Sequence, residues 1–343
     1  MIKVKITTGP ENSFENISRQ LNRNTRIWNT CIFYINEHIE ECDWWIICHP
    51  SSLKIIESTK CARENIVFIS MENKENLEVI TNHFLNQFGK LITTDREVQH
   101  KCKVYKTGHT WWVGWQVEII NKQHKISKEY RFDLDDLVKM PPMSKNKFIS
   151  VIISNKNTMT GHQKRNEFIQ KLLLTEVGQF IDCYGDGYIK VIDKWEALKD
   201  YRYHICIEND ELNDYWTEKL ADPFLAYSVP IYFGCPNINE YFDAESIIQI
   251  DLNNVKDAVS KIKNLLKIDE YEKRLPLVIN SRKKVLYEYN IFQLIEDVCN
   301  HKLKKYEKAT IYPNWYFKRD KLFILKMTYS MVTRLINFIK RCF

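Results

Sequence analysis

Residues 204–234 read HICIENDELNDYWTEKLADPFLAYSVPIYFG and contain the clearest structural pattern in the chain. A short apolar run ends at Glu208-Asn209, a polar segment follows, and a second apolar run occupies residues 229–234. This order predicts a strand, a loop, a helix and a second strand. In an open α/β sheet, ligands bind where the carboxyl ends of strands meet the amino ends of helices, so we expect a binding site at this junction.

The polar side chains of this segment suit an anionic ligand that carries a sugar. Lys219 would lie in or near the first turn of the predicted helix, where free N–H groups and the helix dipole already favour phosphate. Glu218 supplies a carboxylate for sugar hydroxyl groups, and Asn209 and Tyr215 add neutral hydrogen-bonding groups. Together these residues indicate a site for a sugar joined to a diphosphate.

The same spacing also allows a purely structural interpretation. In that interpretation, Asp214 or Thr217 caps the helix, while Glu218 and Lys219 form a solvated surface pair. Spacing alone leaves both interpretations open.

Three blocks in this region resemble the signature of glycosyltransferase family 10, the α-1,3/4-fucosyltransferases. The blocks are Glu208-Asn209, residues 214–219 (DYWTEK) and residues 229–234 (VPIYFG), in the order and at a spacing similar to those of the family. Residues 241–251 are also similar, although a proline of the family pattern is absent near Ala244. The similarity is specific over about residues 147–252 and faint in the first half. It implies the GT-B fold, an α/β architecture in which two Rossmann-like, doubly wound domains face a cleft, and it implies GDP-β-L-fucose as the donor.

The resemblance extends to a residue for the diphosphate. The stretch from Ser154-Asn155 to Arg165 is similar to a family segment whose arginine faces the diphosphate. A guanidinium is permanently charged and would stabilise the negative charge of departing GDP. Arg165 and Lys219 together could then do the work of a divalent metal. Without the resemblance, the default is a surface arginine on a helix.

The base that takes the acceptor proton is assigned through the family context as well. In the family this residue is a glutamate that follows a strand in the first domain, and Glu72 follows the predicted strand at residues 66–69. Glu75 is a competing candidate. A third alternative is that Glu72 only complements a helix dipole.

Composition narrows the class of protein. The chain has 343 residues, and 44% of them are hydrophobic, so two packed domains are expected. The net charge of +6 equals the excess of seven basic residues over one acidic residue within residues 317–343, so the rest of the chain is neutral and a basic nucleic-acid-binding fold is not indicated.

The ten cysteines include no C-x-x-C pair, and no apolar run reaches the length of a membrane span. We therefore expect a reduced, cytosolic chain that starts with a strand.

Two successive series of alternating strands and helices predict the domain organisation. Residues 1–145 form the predicted acceptor-binding domain, residues 146–316 the predicted donor-binding domain, and a polar, proline-containing linker lies at residues 139–146. Within the first series, we expect a helix at residues 76–88 and an irregular aromatic segment at residues 101–132.

Three further patterns are weaker. Trp111, Trp112 and Trp115 could stack on acceptor sugar rings, and core packing is an equal alternative. Residues 133–136 (DLDD) resemble a metal-binding D-x-D string, but we interpret them as a solvated loop. The histidines lack metal-ligand spacing, and no metal site is expected.

Residues 317–343 form the predicted tail. Apolar residues recur at helical spacing from Leu322 onward, and basic residues occupy another face, a pattern typical of a helix that lies in a membrane interface. The alternatives are a helix packed on the body and an oligomerisation helix.

The combined prediction is a metal-independent, inverting fucosyltransferase similar to the bacterial members of family 10, peripheral on the inner face of the cytoplasmic membrane. It would transfer L-fucose from GDP-β-L-fucose to a surface polysaccharide or a lipid-linked glycan, with Glu72 as base and with Arg165, Asn209, Tyr215, Glu218 and Lys219 at the donor. The alternatives are the same fold with a different nucleotide sugar and a non-catalytic glycan-binding or assembly subunit.

Overall fold

Two mostly parallel β-sheets, with a cavity between them, form the framework of the protein. The computed structural model describes residues 1–9, 17–49, 52–71, 80–120, 123–154, 159–302 and 306–318. The strands are β1 (Ile2–Thr7), β2 (Ile27–Trp28), β3 (Cys31–Ile35), β4 (Trp44–Cys48), β5 (Glu57–Lys60), β6 (Ile66–Ile69), β7 (Lys90–Thr93), β8 (Lys103–Tyr105), β9 (Trp115–Ile120), β10 (Gln123–Tyr130), β11 (Lys147–Ile153), β12 (Ile181–Gly185), β13 (Tyr201–Ile207), β14 (Val229–Phe233), β15 (Ile248–Gln249) and β16 (Lys308–Ile311). The α-helices are α1 (Asn82–Leu85), α2 (Leu134–Lys139), α3 (Thr160–Leu173), α4 (Glu218–Leu225), α5 (Val255–Lys267), α6 (Tyr271–Lys283) and α7 (Ile291–Val298).

The first sheet has seven strands in the order β2-β3-β1-β4-β6-β7-β8, and all pairs except β2–β3 are parallel. Every residue of β4 (WWIIC) and of β6 (IVFI) is buried. Continuous apolar runs of this kind are typical of central strands in a parallel sheet that is covered on both faces. The strand predicted at the start of the chain and the one predicted at residues 66–69 are thereby confirmed.

The second sheet has five parallel strands in the order β12-β11-β13-β14-β15. Its central strand β13 leads into the polar segment at residues 208–217, and α4 then returns the chain to β14. The predicted order of strand, loop, helix and strand over residues 204–234 is confirmed.

The end of the described chain returns to the first sheet. Phe292 of α7 packs edge-on against Phe33 of β3, with ring centroids 4.8 Å apart. Strand β16 pairs in antiparallel register with β5, from Lys308 opposite Lys60 to Ile311 opposite Glu57. The boundaries expected at residues 145/146 and 316/317 stay predictions.

Three local predictions in the first half need correction. Helix α1 begins only at Asn82, because Thr81 caps it with a side chain that accepts from Phe84 N, whereas residues 76–79 lie outside the described residues. The segment expected to be irregular contains β8 and the antiparallel pair β9–β10.

The acidic string at residues 133–136 is not a solvated loop. Asp133 is 2% exposed and caps α2 in a reciprocal capping box with Asp136. Arg23 pairs with both carboxylates, at 2.5 and 2.6 Å. These acidic side chains therefore stabilise a helix start.

Two predictions concern membranes. The described residues contain no helix of the length and apolarity needed to cross a bilayer. The amphipathic helix expected from Leu322 onward lies outside the described residues.

Candidate active site

A cavity of about 820 Å³ lies between the two sheets. From the first half it is lined by residues that follow β1, β4 and β6, and from the second half by the carboxyl ends of β11 and β13 and the start of α4. The carboxyl ends of parallel strands are the expected ligand-binding edge of such sheets. All five residues predicted to hold the diphosphate and sugar line this cavity: Arg165, Asn209, Tyr215, Glu218 and Lys219.

Thr217 is the N-cap of α4, as the structural interpretation of the sequence expected. Its hydroxyl accepts from Lys219 N at 3.2 Å. The cap is itself fixed by Glu208, whose carboxylate accepts from Thr217 N at 2.8 Å and from the Thr217 hydroxyl at 2.7 Å. Glu208 is 1% exposed, so burial raises its pKa, and the nearby Lys219 ammonium opposes that rise. The first turn of α4 is therefore held rigidly at the cavity.

Asp214 does not cap this helix but ties the loop before it to both halves. Its backbone has a φ of 65°, in the left-handed region, and its carboxylate accepts from Asn237 at 3.0 Å and from Tyr241 at 2.7 Å. Arg96, which follows β7 in the first half, also pairs with this carboxylate. These contacts fix the loop from which Tyr215 projects.

Glu218 and Lys219 do not form a solvated surface pair. Their side chains are 18% and 23% exposed, and Lys219 Nζ lies 3.2 Å from Glu218 Oε1 and 3.6 Å from Glu208 Oε2. Burial would raise the pKa of Glu218, but the ammonium groups of Lys219 and Lys194 outweigh it and hold that pKa well below its usual range. Glu218 is therefore an anion, suited to accept hydrogen bonds from sugar hydroxyl groups.

Lys194 completes this cluster, and sequence analysis did not identify it. Its Nζ lies 3.4 Å from Glu218 Oε1 and 3.0 Å from Asp222 Oδ2. Burial works against the charge of Lys194, yet the carboxylates of Asp222 and Glu218 raise its pKa. A short 3₁₀ turn at Lys194–Ala197, capped by Asp193, presents the lysine to the cavity.

Arg165 extends from α3 toward the same loop. The helix can approach the loop because a Cβ at Gly161 would lie only 1.7 Å from the carbonyl oxygen of Asn209. Arg165 Nη1 donates to Asn209 Oδ1 at 3.0 Å. Its Nη2 is buried and has no hydrogen-bond partner within the described part of the chain.

Burial lowers the pKa of Arg165, although the carboxylates of Glu208 and Glu218 partly offset this effect. A buried guanidinium nitrogen without an acceptor is costly, because its lost hydration is not replaced. A phosphate oxygen in the cavity would satisfy it. The structure thus brings Arg165 and Lys219 to one cavity, as the resemblance implied.

Tyr215 is 4% exposed and packs edge-on against His109, with ring centroids 5.8 Å apart.

Glu72 lies outside the described residues, and the preceding residue Met71 lines the cavity. Met71 and His49, which also lines the cavity, have φ values of 53° and 71°. Left-handed backbone is unfavourable for such residues and concentrates at functional sites.

A metal centre is not formed by the described residues, among which no group of three His, Cys, Asp or Glu side chains is arranged to hold an ion. These residues instead place three cations, Arg165, Lys194 and Lys219, in one cavity with the carboxylate of Glu218. The chemistry of this arrangement suits an anion together with hydroxyl groups.

Residues 142–309 match the family model described as "Glycosyltransferase family 10 (fucosyltransferase) C-term". Over 125 residues, 34% of this chain, the protein is 30% identical to the Alpha-(1,3)-fucosyltransferase FucT of Helicobacter pylori. Over 142 residues, 41% of this chain, it is 28% identical to the 4-galactosyl-N-acetylglucosaminide 3-alpha-L-fucosyltransferase 9 of Homo sapiens. The matched stretches span 24% and 38% of those relatives' own lengths.

Two solved structures align with most of this chain. An alpha1,3-fucosyltransferase crystallised with GDP-fucose aligns with a TM-score of 0.46 at 17% identity, over 88% of this chain and 91% of that one. A DNA-modifying beta-glucosyltransferase aligns with a TM-score of 0.48 at 10% identity, over 88% of this chain and all of that one.

The family match covers the second sheet, the loop at residues 208–217 and helix α4, which are the elements that carry Arg165, Glu218 and Lys219. The resemblance of this chain to glycosyltransferase family 10, the fucosyltransferases, is thereby confirmed over residues 142–309.

Proposed function

We propose that the protein is an inverting glycosyltransferase of GT-B architecture that moves L-fucose from GDP-β-L-fucose to a hydroxyl group of a glycan. The observation that carries the proposal is the buried Nη2 of Arg165, which lacks an acceptor in the described residues and shares the cavity with Lys219. This arrangement occurs within the segment that matches the fucosyltransferase family.

The two cations stabilise the leaving group. As the bond between the anomeric carbon and the β-phosphate oxygen breaks, negative charge grows on GDP, and fixed cations stabilise this charge more than that of the bound donor. Arg165 offers a forked pair of donors, and Lys219 adds a point charge at the first turn of α4, where the helix dipole also favours phosphate. Asn209, Tyr215 and Glu218 contact the nucleoside or the sugar.

The acceptor oxygen attacks the anomeric carbon from the face opposite the departing phosphate, so a β-linked donor gives an α-linked product. The acceptor hydroxyl loses its proton to a general base, for which Glu72 is the proposed residue. Met71, its neighbour in sequence, lines the cavity.

A nucleotide panel tests the donor class directly. GDP should raise the midpoint of thermal unfolding, whereas UDP and CMP at the same concentration should not, because a ligand that binds only the folded state stabilises it. Transfer assays with several nucleotide sugars then identify the sugar. Stabilisation by UDP in place of GDP would refute the proposed donor.

We further propose that no metal is required, since Arg165 and Lys219 supply the charge that Mg²⁺ or Mn²⁺ provides elsewhere. Protein treated with a chelator should transfer fucose at an unchanged rate. If activity is lost and returns only with magnesium or manganese, this part of the proposal fails.

For the acceptor, we propose a galactosyl-N-acetylglucosamine unit of a bacterial surface polysaccharide or lipopolysaccharide, fucosylated in an α-1,3-type linkage. The support is the specificity named for two relatives, an alpha-(1,3)-fucosyltransferase and a 4-galactosyl-N-acetylglucosaminide 3-alpha-L-fucosyltransferase. Linkage analysis of the product made on the free disaccharide tests both the acceptor and the position.

Finally, we propose that the enzyme works in the cytoplasm at the inner face of the membrane. The described chain enters the basic tail next to four exposed apolar residues: Ile55 (67%), Ile56 (46%), Trp315 (47%) and Tyr316 (36%). Trp315 Nε1 donates to Lys54 O at 3.0 Å, which joins the two segments. Tryptophan and tyrosine favour the membrane interface, and the basic tail favours anionic lipids.

Vesicle binding tests this location. Phe317 packs against His83, with ring centroids 6.1 Å apart, so the truncation is best made after Lys318. The truncated protein should transfer fucose in solution and bind vesicles of phosphatidylglycerol more weakly than the full chain. Equal vesicle binding by both proteins would refute a role for the tail.

A further inference from the structure

The three clustered tryptophans have different environments. Trp111 is 2% exposed, and the guanidinium of Arg19 lies 4.2 Å from its ring centroid. Trp115 is also 2% exposed, with its ring 5.2 Å from that of Trp112 and inclined by 32°. Trp112 and Trp115 both line the cavity, but only Trp112 is partly exposed. Core packing therefore explains Trp111 and most of Trp115, but it does not explain why Trp112 is presented to the cavity.

The backbone around Trp112 is held by buried charged groups. Asp222 Oδ1 accepts from Trp112 N at 2.8 Å and from Val113 N at 3.0 Å, and Asp193 Oδ1 accepts from Gly114 N at 2.9 Å. On the other side, Arg19 donates to the carbonyl oxygens of Trp111 and Val113, each at 2.8 Å.

All three charged side chains are at most 2% exposed as residues, and burying a charge is costly unless it is fully hydrogen-bonded. A connecting loop with no other role needs no such arrangement, because water can satisfy its backbone groups. The position of Trp112 is thus strongly determined by the fold.

The same carboxylate links Trp112 to the donor site. While Asp222 Oδ1 holds the backbone of Trp112, Asp222 Oδ2 lies 3.0 Å from Lys194 Nζ, which in turn lies 3.4 Å from Glu218 Oε1. Two side chains therefore fix the distance between Trp112 and the carboxylate proposed to contact the donor.

We propose that the indole ring of Trp112 is the platform on which the acceptor sugar stacks, with a pyranose presenting its face of C–H hydrogens to the ring. This inference rests on the proposed function. An aromatic face combines a large apolar area with a negative quadrupole, which suits the weakly positive C–H face of a sugar. The rigid link through Asp222 and Lys194 would keep the acceptor hydroxyl at a constant distance from the fucosyl donor, the positioning that transfer between two substrates needs.

The test compares Trp112→Ala and Trp112→Phe with Phe180→Ala, a control at an aromatic residue that is 47% exposed. The probes are GDP, GDP-fucose and the free galactosyl-β-1,4-N-acetylglucosamine disaccharide. We expect Trp112→Ala to raise the KM for the disaccharide by about tenfold, because a lost stacking contact of about 1.4 kcal/mol corresponds to that factor. Trp112→Phe should keep the KM within about threefold of wild type, and stabilisation by GDP should be equal in all four proteins.

Tryptophan fluorescence gives a second measurement that a merely structural role would not affect. In the presence of GDP, adding the disaccharide should change the emission of the wild type and of Phe180→Ala, but not that of the folded Trp112→Phe variant. An unchanged KM in Trp112→Ala, or a loss of GDP binding in both Trp112 variants, would overturn the inference. Wild-type protein that does not bind GDP would instead refute the proposed function itself.

Discussion

Replacing Arg165 by methionine separates a role in binding from a role in folding. The Arg165 guanidinium donates to Asn209 Oδ1 at 3.0 Å, but its buried Nη2 has no hydrogen-bond partner among the described residues. Burial lowers the pKa of Arg165, so its charge is destabilising until an anion arrives. Methionine fills a similar volume without charge. We therefore expect the free energy of unfolding of the unliganded variant to fall by less than about 1 kcal/mol, or to rise.

The effect on GDP should be much larger. A hydrogen bond to a charged group contributes about 1.5–3 kcal/mol, which corresponds to a rise of about 10- to 150-fold in the Kd for GDP. At a GDP concentration of about 100 times the wild-type Kd, binding stabilises the wild type by about 2.7 kcal/mol. A variant with a Kd raised about 30-fold would be stabilised by only about 0.9 kcal/mol under the same conditions.

Urea unfolding with and without GDP, together with calorimetric titration, measures both quantities. The matched control is Arg19→Met, since Arg19 is also buried but donates three hydrogen bonds to carbonyl oxygens of Trp111, Val113 and Phe132. Removing it should cost about 3–5 kcal/mol of stability, because those acceptors lose their partners. If Arg165→Met is destabilised like the control and binds GDP like the wild type, Arg165 is a structural residue and our reasoning is wrong.

Three further predictions concern the base, the carboxylate cluster and a buried histidine. Glu72→Ala should lower turnover by about 100-fold or more with GDP binding intact, and a similar loss in Glu75→Ala with none in Glu72→Ala would move the base to Glu75. Lys194→Met removes a cation that lowers the pKa of Glu218, so donor binding should weaken by about tenfold, and by more at pH 5 than at pH 8. The control is Lys199→Met, since the Lys199 side chain is 36% exposed, and equal effects of both variants on donor binding would contradict this role of Lys194. Burial lowers the pKa of His204 to about 3 in the folded protein, whereas the unfolded chain takes up this proton below its ordinary value of 6.5. The free energy of unfolding is therefore unaffected by this group well above pH 6.5, and it falls by about 2 kcal/mol between pH 7 and pH 5 because only the unfolded chain takes up the proton in that range. His204→Asn can still hydrogen-bond to Ser150, and it should remove most of this pH dependence when urea unfolding is measured at the two pH values.

The parts of the fold that sequence patterns predict well are those in which local chemistry and tertiary packing agree. Strands β4, β6 and β13 are apolar runs that become buried, so the residues that form a strand are also those that need burial. The hairpin β9–β10 is different. Strand β9 (WQVEII) alternates between apolar and polar residues, but β10 (QHKISKEY) is almost entirely polar, and the antiparallel pairing of Trp115–Ile120 with Gln123–Tyr130 identifies the two segments as a strand pair.

The aspartates at residues 133–136 show a second reason for failure. The sequence contains a capping pattern there, with Asp133 three residues before Asp136, but a solvated loop has the same local composition. The partner that decides between them is Arg23, 110 residues earlier in the chain. Contacts over such distances are outside the range of any local pattern.

Helix α4 shows how Lys194, a site residue that belongs to no sequence motif, could be found from its neighbours. Its apolar residues Leu220, Ala221, Phe224 and Leu225 are buried, so the helix is a core element. Glu218 and Asp222 are four residues apart and therefore lie on the same face, where two carboxylates repel each other. A helix that buries most of its surface cannot leave such a pair to solvent, and a cation must lie between them. Given this burial, a lysine or arginine is expected to contact both residues, and the tertiary structure identifies it as Lys194. The same reasoning implies that the charge on this lysine stabilises the folded state even before any donor binds, since it is the cation that contacts both carboxylates among the described residues.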